Sequence, residues 1–246
     1  MDLGLDGSRA LVTAASKGLG RACAAALAAE GARVFIVSRD QALLSRVQGE
    51  IGAVGHLAAD LADPAAPAQV VAAAVRLLGG LDILVCNAGG PPAGTFESVP
   101  AESWEVAYNL TLMSAVRLTR CALPHLKESG RGRIVNLTSM SVRQPMANLL
   151  LSNAFRTALT ATAKTLSAEV AVHGVTVNNL APGVILTDRA RQIYSDLEAT
   201  AREVPLGRLG TPEEFGATCA FLCSAQAGYI TGQTLGIDGG AVRGLH

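Results

Sequence analysis

The chain has 246 residues, of which 50% are hydrophobic and 16% are charged. This length suits one α/β domain, and the apolar fraction is sufficient for a large core. The formal net charge is zero and the pI is near 6.9, so electrostatics gives no reason to expect nucleic acid or an anionic membrane as a partner.

The cysteines and the first residues restrict the class of protein further. The five cysteines include no Cys-x-x-Cys pair and no histidine at metal-ligand spacing; they are Cys23, Cys86, Cys121, Cys219 and Cys223. This pattern indicates reduced, buried thiols and no metal site. The N-terminus carries Asp2 and Asp6, so it does not read as a signal peptide. No apolar stretch is long enough to span a bilayer, and we expect a soluble cytoplasmic protein.

The first predicted elements are a strand, a small-residue turn and a helix. Arg9–Thr13 is an apolar run, residues 14–20 form the turn, and an Ala-rich helix follows over residues 21–30. A helix N-terminus with free N–H groups binds anions, and the expected anion in this setting is the pyrophosphate of a dinucleotide. A turn of this kind also occurs where it serves tight packing alone. Other motifs along the chain are therefore needed to distinguish a phosphate-binding turn from a packing turn.

Strand and helix signals then alternate to the end of the chain. Further strands are predicted at residues 33–38, 54–59, 81–86, 133–138, 175–180 and 234–237. Further helices are predicted at residues 41–50, 64–78, 103–126 and 151–173, in a polar segment at 187–203, and from Thr211 onward. This alternation predicts an α/β fold: a single doubly wound Rossmann-type domain over residues 1–246, with a mainly parallel seven-stranded sheet and helices on both faces.

Ligands of such folds bind outside the carboxyl ends of the strands. The polar and small residues at these ends are Thr13, Ser38-Arg39, Asp60, Asn87, Ser139 and Pro182-Gly183. We therefore expect one site along this edge, covered by a substrate lid at about residues 184–205.

Several of these motifs, in this order, resemble those of the short-chain dehydrogenase/reductase family. Residues 13–20 are similar to the family's Thr-Gly-x-x-x-Gly-x-Gly turn, with Ala14 at the first glycine position. Residues 87–89 resemble its Asn-Asn-Ala-Gly segment, with Cys86 in place of the first Asn, and Pro182-Gly183 with Thr187 resembles its nicotinamide-holding segment. The resemblance covers nearly the whole chain and implies a nicotinamide dinucleotide cofactor.

The resemblance also implies which residues bind that cofactor. They are Thr13, Ala15, Ser16, Lys17, Gly18, Leu19, Gly20, Ser38, Arg39, Asp60, Leu61, Asn87, Ala88, Gly89, Arg156, Pro182, Gly183, Ile185 and Thr187. NAD-specific sites commonly place an acid after the second strand, where this chain has Ser38-Arg39. Arg39 and Lys17 can face a 2′-phosphate, so we expect NADP(H) in preference to NAD(H), although Asp40 follows directly and the two cations can also be merely solvated.

Members of the family use an Asn, a Ser and a Tyr-x-x-x-Lys pair for catalysis. Asn109 and Ser139 align with the first two, but Ser152 and Arg156 stand at the Tyr and Lys positions. A serine hydroxyl is a far weaker acid than a phenol, and an arginine keeps its proton. We expect Ser139, Asn109, Ser152 and Arg156 to form an atypical catalytic set.

The resemblance implies an NADP(H)-dependent oxidoreductase similar to the 3-oxoacyl-acyl-carrier-protein reductases. It would act on a small-molecule carbonyl substrate, for which an acyl thioester is one candidate. The alternative is a dinucleotide-binding protein without catalysis, acting as a sensor or a supporting subunit; an isomerase or dehydratase is a smaller possibility. The helices at 103–126 and 151–173 resemble those that pair subunits in the family, so we expect a homotetramer, with a dimer as second choice.

Overall fold

The computed structural model describes residues 2–244 and places seven parallel strands in one sheet. The strands are β1 (Arg9–Thr13), β2 (Arg33–Ser38), β3 (Gly55–Ala58), β4 (Ile83–Cys86), β5 (Arg133–Leu137), β6 (Thr176–Pro182) and β7 (Thr234–Ile237). Their order across the sheet is β3-β2-β1-β4-β5-β6-β7, and every neighbouring pair is parallel. The predicted α/β fold is confirmed.

Helices lie on both faces of this sheet. They are α1 (Gly18–Ala29), α2 (Gln41–Ile51), α3 (Ala66–Leu78), α4 (Ala101–Ala107), α5 (Ser114–Ser129), α6 (Leu150–Val170), α7 (Asp188–Ile193), α8 (Leu197–Glu203) and α9 (Pro212–Cys223). The helix predicted over residues 103–126 is interrupted, because a π-helical segment, Tyr108–Met113, separates α4 from α5. The polar segment predicted as helix-capable at 187–203 forms α7 and α8, with a break at Tyr194.

Alternation along the strands divides the apolar core into two layers. Val12 and Ile36 face the layer that includes Phe215 of α9. Leu11 and Phe35, one residue earlier on the same strands, face the layer built with α3, α5 and α6. Both faces of the strands are therefore buried, which explains their nearly continuous apolar sequences.

A polar clamp holds the amino ends of β1 and β4 together. Arg9 donates from Nε and Nη2 to both carboxylate oxygens of Asp82, at 2.9 and 2.8 Å. Ser129 also donates to this carboxylate, at 2.6 Å. Although burial alone would raise it, these hydrogen bonds hold the pKa of Asp82 well below its usual range. The clamp lies at the edge of the sheet opposite the strands' carboxyl ends.

None of the described helices is both long and apolar enough to cross a membrane. Within residues 2–244 no cluster of His, Cys, Asp or Glu side chains has an arrangement that could hold a metal ion.

Candidate functional site

The turn after β1 leaves the N-terminus of α1 free to bind an anion. The turn is fixed to the sheet by a hydrogen bond from the Ala15 amide to the Val37 carbonyl, at 3.0 Å. Lys17 is the N-cap residue of α1, and its side chain makes no capping bond. The first turn of the helix carries no acid. Its first N–H groups therefore keep their donors for a ligand, as a phosphate site requires.

Two small residues allow the turn to fold this tightly. Ala14 has a φ of 46°, in the left-handed region where glycine is favoured. A Cβ on Gly20 would lie 2.3 Å from the Ala14 carbonyl oxygen and 2.7 Å from Nδ2 of Asn87. No side chain larger than hydrogen therefore fits at position 20 without moving the turn.

Thr13 connects this turn to the end of β4. Its Oγ1 donates to the Asn87 carbonyl at 2.8 Å and accepts from the Asn87 amide at 2.9 Å. The next residues, Ala88 and Gly89, continue along the carboxyl edge of the sheet. A Cβ on Gly89 would meet no atom within 4 Å, so the surface above it is open.

The end of β2 lies beside the same turn. The Oγ of Ser38 is buried and has no hydrogen-bond partner, while Arg39 is exposed. Asp40 accepts from the Leu43 amide at 2.9 Å and caps α2. The carboxylate of Asp40 therefore already has a hydrogen-bond donor in its own helix. This hydrogen bond weakens the repulsion between Asp40 and a phosphate held by Arg39.

Asp60 and Leu61 follow β3. The carboxylate of Asp60 accepts from the Ala62 amide at 3.0 Å, and the side chain is exposed. Leu61 is buried in the core layer of α3. Both residues lie at the carboxyl edge of the sheet.

The chain after β6 passes close to the turn at residues 13–20. A Cβ on Gly183 would lie 2.7 Å from the Cα of Asp238, so the Pro182-Gly183 segment packs directly on the segment after β7. Ile185 is buried. Thr187 caps α7 by accepting from the Ala190 amide, and a Cβ on Gly18 would lie 3.8 Å from the Thr187 methyl group. The start of α7 therefore lies against the N-terminus of α1.

Arg189 joins the segment predicted as a lid to the loop after β4. Its Nη2 donates to the Pro91 carbonyl at 3.1 Å. A Cβ on Gly90 would lie 3.1 Å from both Nε and Nη2 of the same guanidinium. Sequence reasoning missed this residue, since the only signal is a cation two positions after Thr187.

Two of the expected catalytic residues, Ser139 and Arg156, are placed at the end of β5. Ser139 follows the strand, and its Oγ accepts from the Ser141 amide at 3.1 Å. Arg156 of α6 donates from Nη1 to the Leu137 and Thr138 carbonyls, at 2.7 and 3.1 Å. Ser152 lies one helical turn before Arg156 and is partly buried.

Arg156 is a buried cation, with 9% of its surface exposed. Burial, with a smaller contribution from the charge of Arg189, lowers its pKa to about 10. The side chain therefore remains charged at neutral pH. Its hydrogen bonds go to carbonyl oxygens, which leave its positive charge uncompensated.

Asn109 lies on the π-helical segment rather than beside Ser139. Its side chain donates to the Glu105 carbonyl at 3.2 Å and accepts from Arg117 at 3.1 Å. The same segment presents Thr111, whose Oγ1 is buried without a partner. Thr111 and Arg156 line a common cavity of about 10 Å³, which is close to the smallest volume that holds a water molecule.

The three tyrosines of the chain do not restore a phenol at position 152. Tyr108 packs against Phe155, with ring centroids 5.9 Å apart, and Tyr229 is fully exposed. Tyr194 lies between α7 and α8, where burial first, and then the charge of Glu203, raises its pKa. Tyr194 is thus a weaker acid than an ordinary tyrosine.

Comparison with known proteins decides the family. A family model described as Enoyl-(Acyl carrier protein) reductase matches residues 13–242. Dehydrogenase/reductase SDR family member 4 of Bos taurus is 36% identical over 249 residues, which cover 98% of this chain and 89% of the relative. The chain belongs to the short-chain dehydrogenase/reductase (SDR) family. The 3-oxoacyl-[acyl-carrier-protein] reductase FabG of Vibrio cholerae is 35% identical over 240 residues, covering 97% of this chain and 98% of that protein.

Solved structures of other SDR proteins superpose closely on this chain. L-sorbose reductase from Gluconobacter frateurii, in complex with NADPH and L-sorbose, matches with a TM-score of 0.93, 33% identity and complete coverage of both chains. YwfH, described as an NADPH dependent reductase involved in bacilysin biosynthesis, matches with a TM-score of 0.92 and 31% identity, over 97% of this chain and 100% of the other.

Proposed function

We propose that this SDR chain is an NADP(H)-dependent oxidoreductase, similar to the 3-oxoacyl-acyl-carrier-protein reductases, that transfers hydride between the nicotinamide and a ketone or secondary alcohol. The observation that carries the proposal is the uncapped N-terminus of α1, which opens from the turn at residues 13–20 between Asn87 and Thr187. The relatives named above, two of them described with NADPH, support it.

The donors at this edge fit a dinucleotide phosphate. The first N–H groups of α1 have no acid or capping side chain beside them, and the Oγ of Ser38 is buried without a partner. Together they offer hydrogen-bond donors for a pyrophosphate and for the ribose side of the cofactor. Thr187 and the other residues named for cofactor binding complete the proposed site. The segment at about residues 184–205 is proposed to cover it as a lid within one domain.

The preference for NADP(H) rests on Arg39 and Lys17. Both side chains are exposed at the carboxyl edge, where a 2′-phosphate would add charge that only cations can match. Fluorescence titration with NADPH and NADH tests this preference. Tighter binding of NADH would overturn it.

The reduced nicotinamide, when bound, supplies a hydride. Ser139 then orients the substrate: its Oγ accepts from the Ser141 amide, which leaves its own proton free to donate to the carbonyl oxygen. Arg156 adds positive charge behind this position through its bonds to the Leu137 and Thr138 carbonyls. Ser152, which is partly buried, would hold a water molecule that gives a proton to the oxygen of the reduced carbonyl, and the hydroxide left behind would take up a proton from the solvent. Asn109 holds the π-helical segment through Arg117.

NADPH oxidation with a short β-ketoacyl thioester and a broad panel of ketones tests the activity. We expect slow but measurable turnover, because loss of a positioned general acid usually costs roughly 10²–10⁴-fold in rate. Turnover indistinguishable from the background with every substrate would contradict the proposal.

A second candidate function is dinucleotide binding without catalysis, as a sensor or a supporting subunit. The absence of a phenol at position 152 favours it. The double variant Ser152→Tyr, Arg156→Lys separates the two candidates. A rise in ketone reduction of about 10²-fold or more indicates an intact site that lacks only its acid, whereas unchanged background turnover with retained NADPH binding favours the binding protein.

A further inference from the structure

Thr111 and Arg156 line the same small cavity below the carboxyl edge of the sheet. Thr111 belongs to the π-helical segment Tyr108–Met113, and Arg156 belongs to α6. The cavity has a volume of about 10 Å³, and Asn87, after β4, also lines it. Most of the other lining residues are apolar: Ala88, Ala115, Leu118, Leu137 and Leu159. The polar groups that face this space therefore find few partners in its walls.

The hydroxyl of Thr111 lacks the hydrogen bond that helical threonines of this chain make. Five of them donate from Oγ1 to the carbonyl oxygen four residues earlier, at 2.7–3.2 Å: Thr160, Thr162, Thr165, Thr200 and Thr218. Thr111 has only 3% of its surface exposed, yet its Oγ1 has no partner within residues 2–244. Because the bonds of a π-helix run to the fifth residue back, the backbone around Thr111 is not that of the α-helical threonines.

Arg156 supplies hydrogen-bond donors on another side of the cavity. Its Nη1 atom donates to the Leu137 and Thr138 carbonyls. The N–H groups of Nε and Nη2 donate to no other group in the described part of the chain, although the side chain is nine-tenths buried. Buried donors need acceptors, and the protein itself does not supply enough of them here.

Water is the only ligand that this space admits. A cavity of about 10 Å³ is close to the smallest that holds one water molecule and is too small for a group of a substrate or cofactor. A buried water needs about two to four polar partners. The cavity offers the Thr111 hydroxyl, the N–H groups of Arg156 and the side-chain oxygen of Asn87, whose Nδ2 donates to the Ala14 carbonyl.

We propose that one water molecule is bound between Thr111 and Arg156, and that Thr111 is thereby a positioning residue for the guanidinium. The water accepts from an N–H of Arg156 and donates to Oγ1 of Thr111. Two carbonyls then hold Arg156 on one side and the water holds it on the other, so its charge is fixed behind Ser139. The water site does not depend on the reaction, whereas its effect on turnover rests on the proposed oxidoreductase function.

An isosteric variant tests the water site in the protein without cofactor. Thr111→Val replaces the hydroxyl with a methyl group and should lower Tm by about 2–6 °C, because the water and Arg156 each lose a partner. Thr176→Val is the matched control: the Thr176 hydroxyl is also buried without a described partner, but it does not line this cavity. Its removal should leave Tm unchanged or raise it. Equal changes of Tm in the two variants would overturn the water site.

A high-resolution crystal structure observes the water directly. We expect one electron-density peak within hydrogen-bond distance of both Thr111 Oγ1 and the Arg156 guanidinium. The peak should be present in wild type and in Thr111→Ser, which keeps the hydroxyl, and absent in Thr111→Val. A dry cavity in wild type, or a peak that does not contact Arg156, would overturn the proposal.

The positioning role is measured by kcat and by NADPH affinity. Thr111→Val should lower kcat by about 10-fold or more and change KM for the ketone by less than about twofold, because a displaced group near the reaction slows it. Thr111→Ser should recover most of kcat, and Thr176→Val should not change it. A normal kcat in Thr111→Val would overturn the positioning role.

A binding measurement separates this proposal from the proposed function. Arg156 is also among the residues proposed to bind the cofactor, so Thr111→Val should weaken NADPH binding by about 10-fold, with recovery in Thr111→Ser. This pattern without turnover of any ketone would support the role of Thr111 and count against the oxidoreductase function alone. NADPH affinity that is unchanged in Thr111→Val, in a protein without turnover, would overturn the positioning role.

Discussion

Ala14 occupies a backbone conformation that an L-amino acid adopts only at a cost. Its φ is 46°, and Asn148 has the only other positive value outside glycine among the described residues, at 63°. A non-glycine residue in the left-handed region costs about 1–2 kcal/mol. Asn tolerates this region through its short polar side chain, so the strain falls mainly on Ala14, within the turn that is proposed to hold the cofactor.

Ala14→Gly should therefore stabilise the protein. Relief of strain exceeds the entropy cost of an added glycine, and we expect a net gain of about 0.5–1 kcal/mol and a rise in Tm of about 2–3 °C. Calorimetric melting measures this change. Asn148→Gly is the matched control and should leave Tm nearly unchanged; an equal gain in both variants would show that the strain is not specific to Ala14.

The proposed preference for NADP(H) depends on the positive charge of Arg39. Arg39→Ala should weaken NADPH binding by about 10- to 100-fold, because a charge-assisted hydrogen bond to the 2′-phosphate is lost. NADH binding should change by less than about twofold, since NADH lacks that phosphate. Fluorescence titration measures both affinities. Arg46→Ala, an exposed arginine on α2, is the control, and equal loss of NADPH and NADH affinity in Arg39→Ala would contradict the role of Arg39.

At the scale of elements, α1 approaches the sheet closely only because position 20 is glycine. Gly20→Ala would place a Cβ 2.3 Å from the Ala14 carbonyl oxygen. Such overpacking costs about 1–3 kcal/mol and would displace the turn from the N-terminus of α1. We expect lower stability in urea unfolding and weaker NADPH binding.

Gly49→Ala on α2 provides the opposite control. A Cβ on Gly49 meets no atom within 4 Å. Alanine in a helix is about 0.5–1 kcal/mol more stable than glycine, so this variant should be stabilised with unchanged cofactor affinity. Stabilisation or neutral behaviour of Gly20→Ala would refute the close approach.

Individual strands and helices can be predicted from the sequence more readily than breaks within a helix or contacts between distant segments. The bounds of β1, β2 and β7 follow directly from short apolar runs with turn residues beside them. The π-helical segment Tyr108–Met113 was not predicted, because its apolar pattern is also compatible with a continuous helix.

In the candidate site, too, some residues could be predicted from the sequence and others could not. Residues at strand ends, such as Thr13 and Asn87, are predictable because parallel strands bring their carboxyl ends to one edge. Arg189 reaches Pro91 across 98 residues of sequence, and Arg156 points to the Leu137 and Thr138 carbonyls. No local pattern encodes these contacts, since they depend on how α6 and α7 pack over the sheet.

At the scale of the whole molecule, a stabilising ion pair and the candidate site lie at opposite ends of the strands. The clamp between Arg9 and Asp82 holds the amino ends of β1 and β4, far from the strand ends that carry the site. Asp82→Asn should destabilise the protein at neutral pH by about 2–3 kcal/mol; this is below the usual cost of breaking a buried ion pair, because Arg9 is partly exposed.

The pH dependence of this effect has a definite sign. The folded pKa of Asp82 lies below its ordinary value of 3.8, so the stabilisation is present above that pH and is lost as pH falls toward the folded pKa. Urea unfolding at neutral pH and again below pH 3.8 should therefore show a difference between wild type and Asp82→Asn that narrows in acid. Glu30→Gln, an exposed acid at the end of α1, is the control. A difference that stays constant with pH would exclude ionisation of Asp82 as its source.

We predict that the molecule associates with copies of itself through the outer surface of α5 and α6. A groove of about 400 Å³ runs between the two helices, lined by Val116, Leu123 and Leu166 and flanked by Arg120 and Glu169. A two-fold axis through this surface would bury the apolar residues and bring opposite charges together. Light scattering should give the mass of a tetramer, or otherwise a dimer, of the 25.2 kDa chain. Val116→Arg should reduce that mass, whereas Val172→Arg, at an 84% exposed position outside the groove, should not; a monomeric wild type would contradict the prediction.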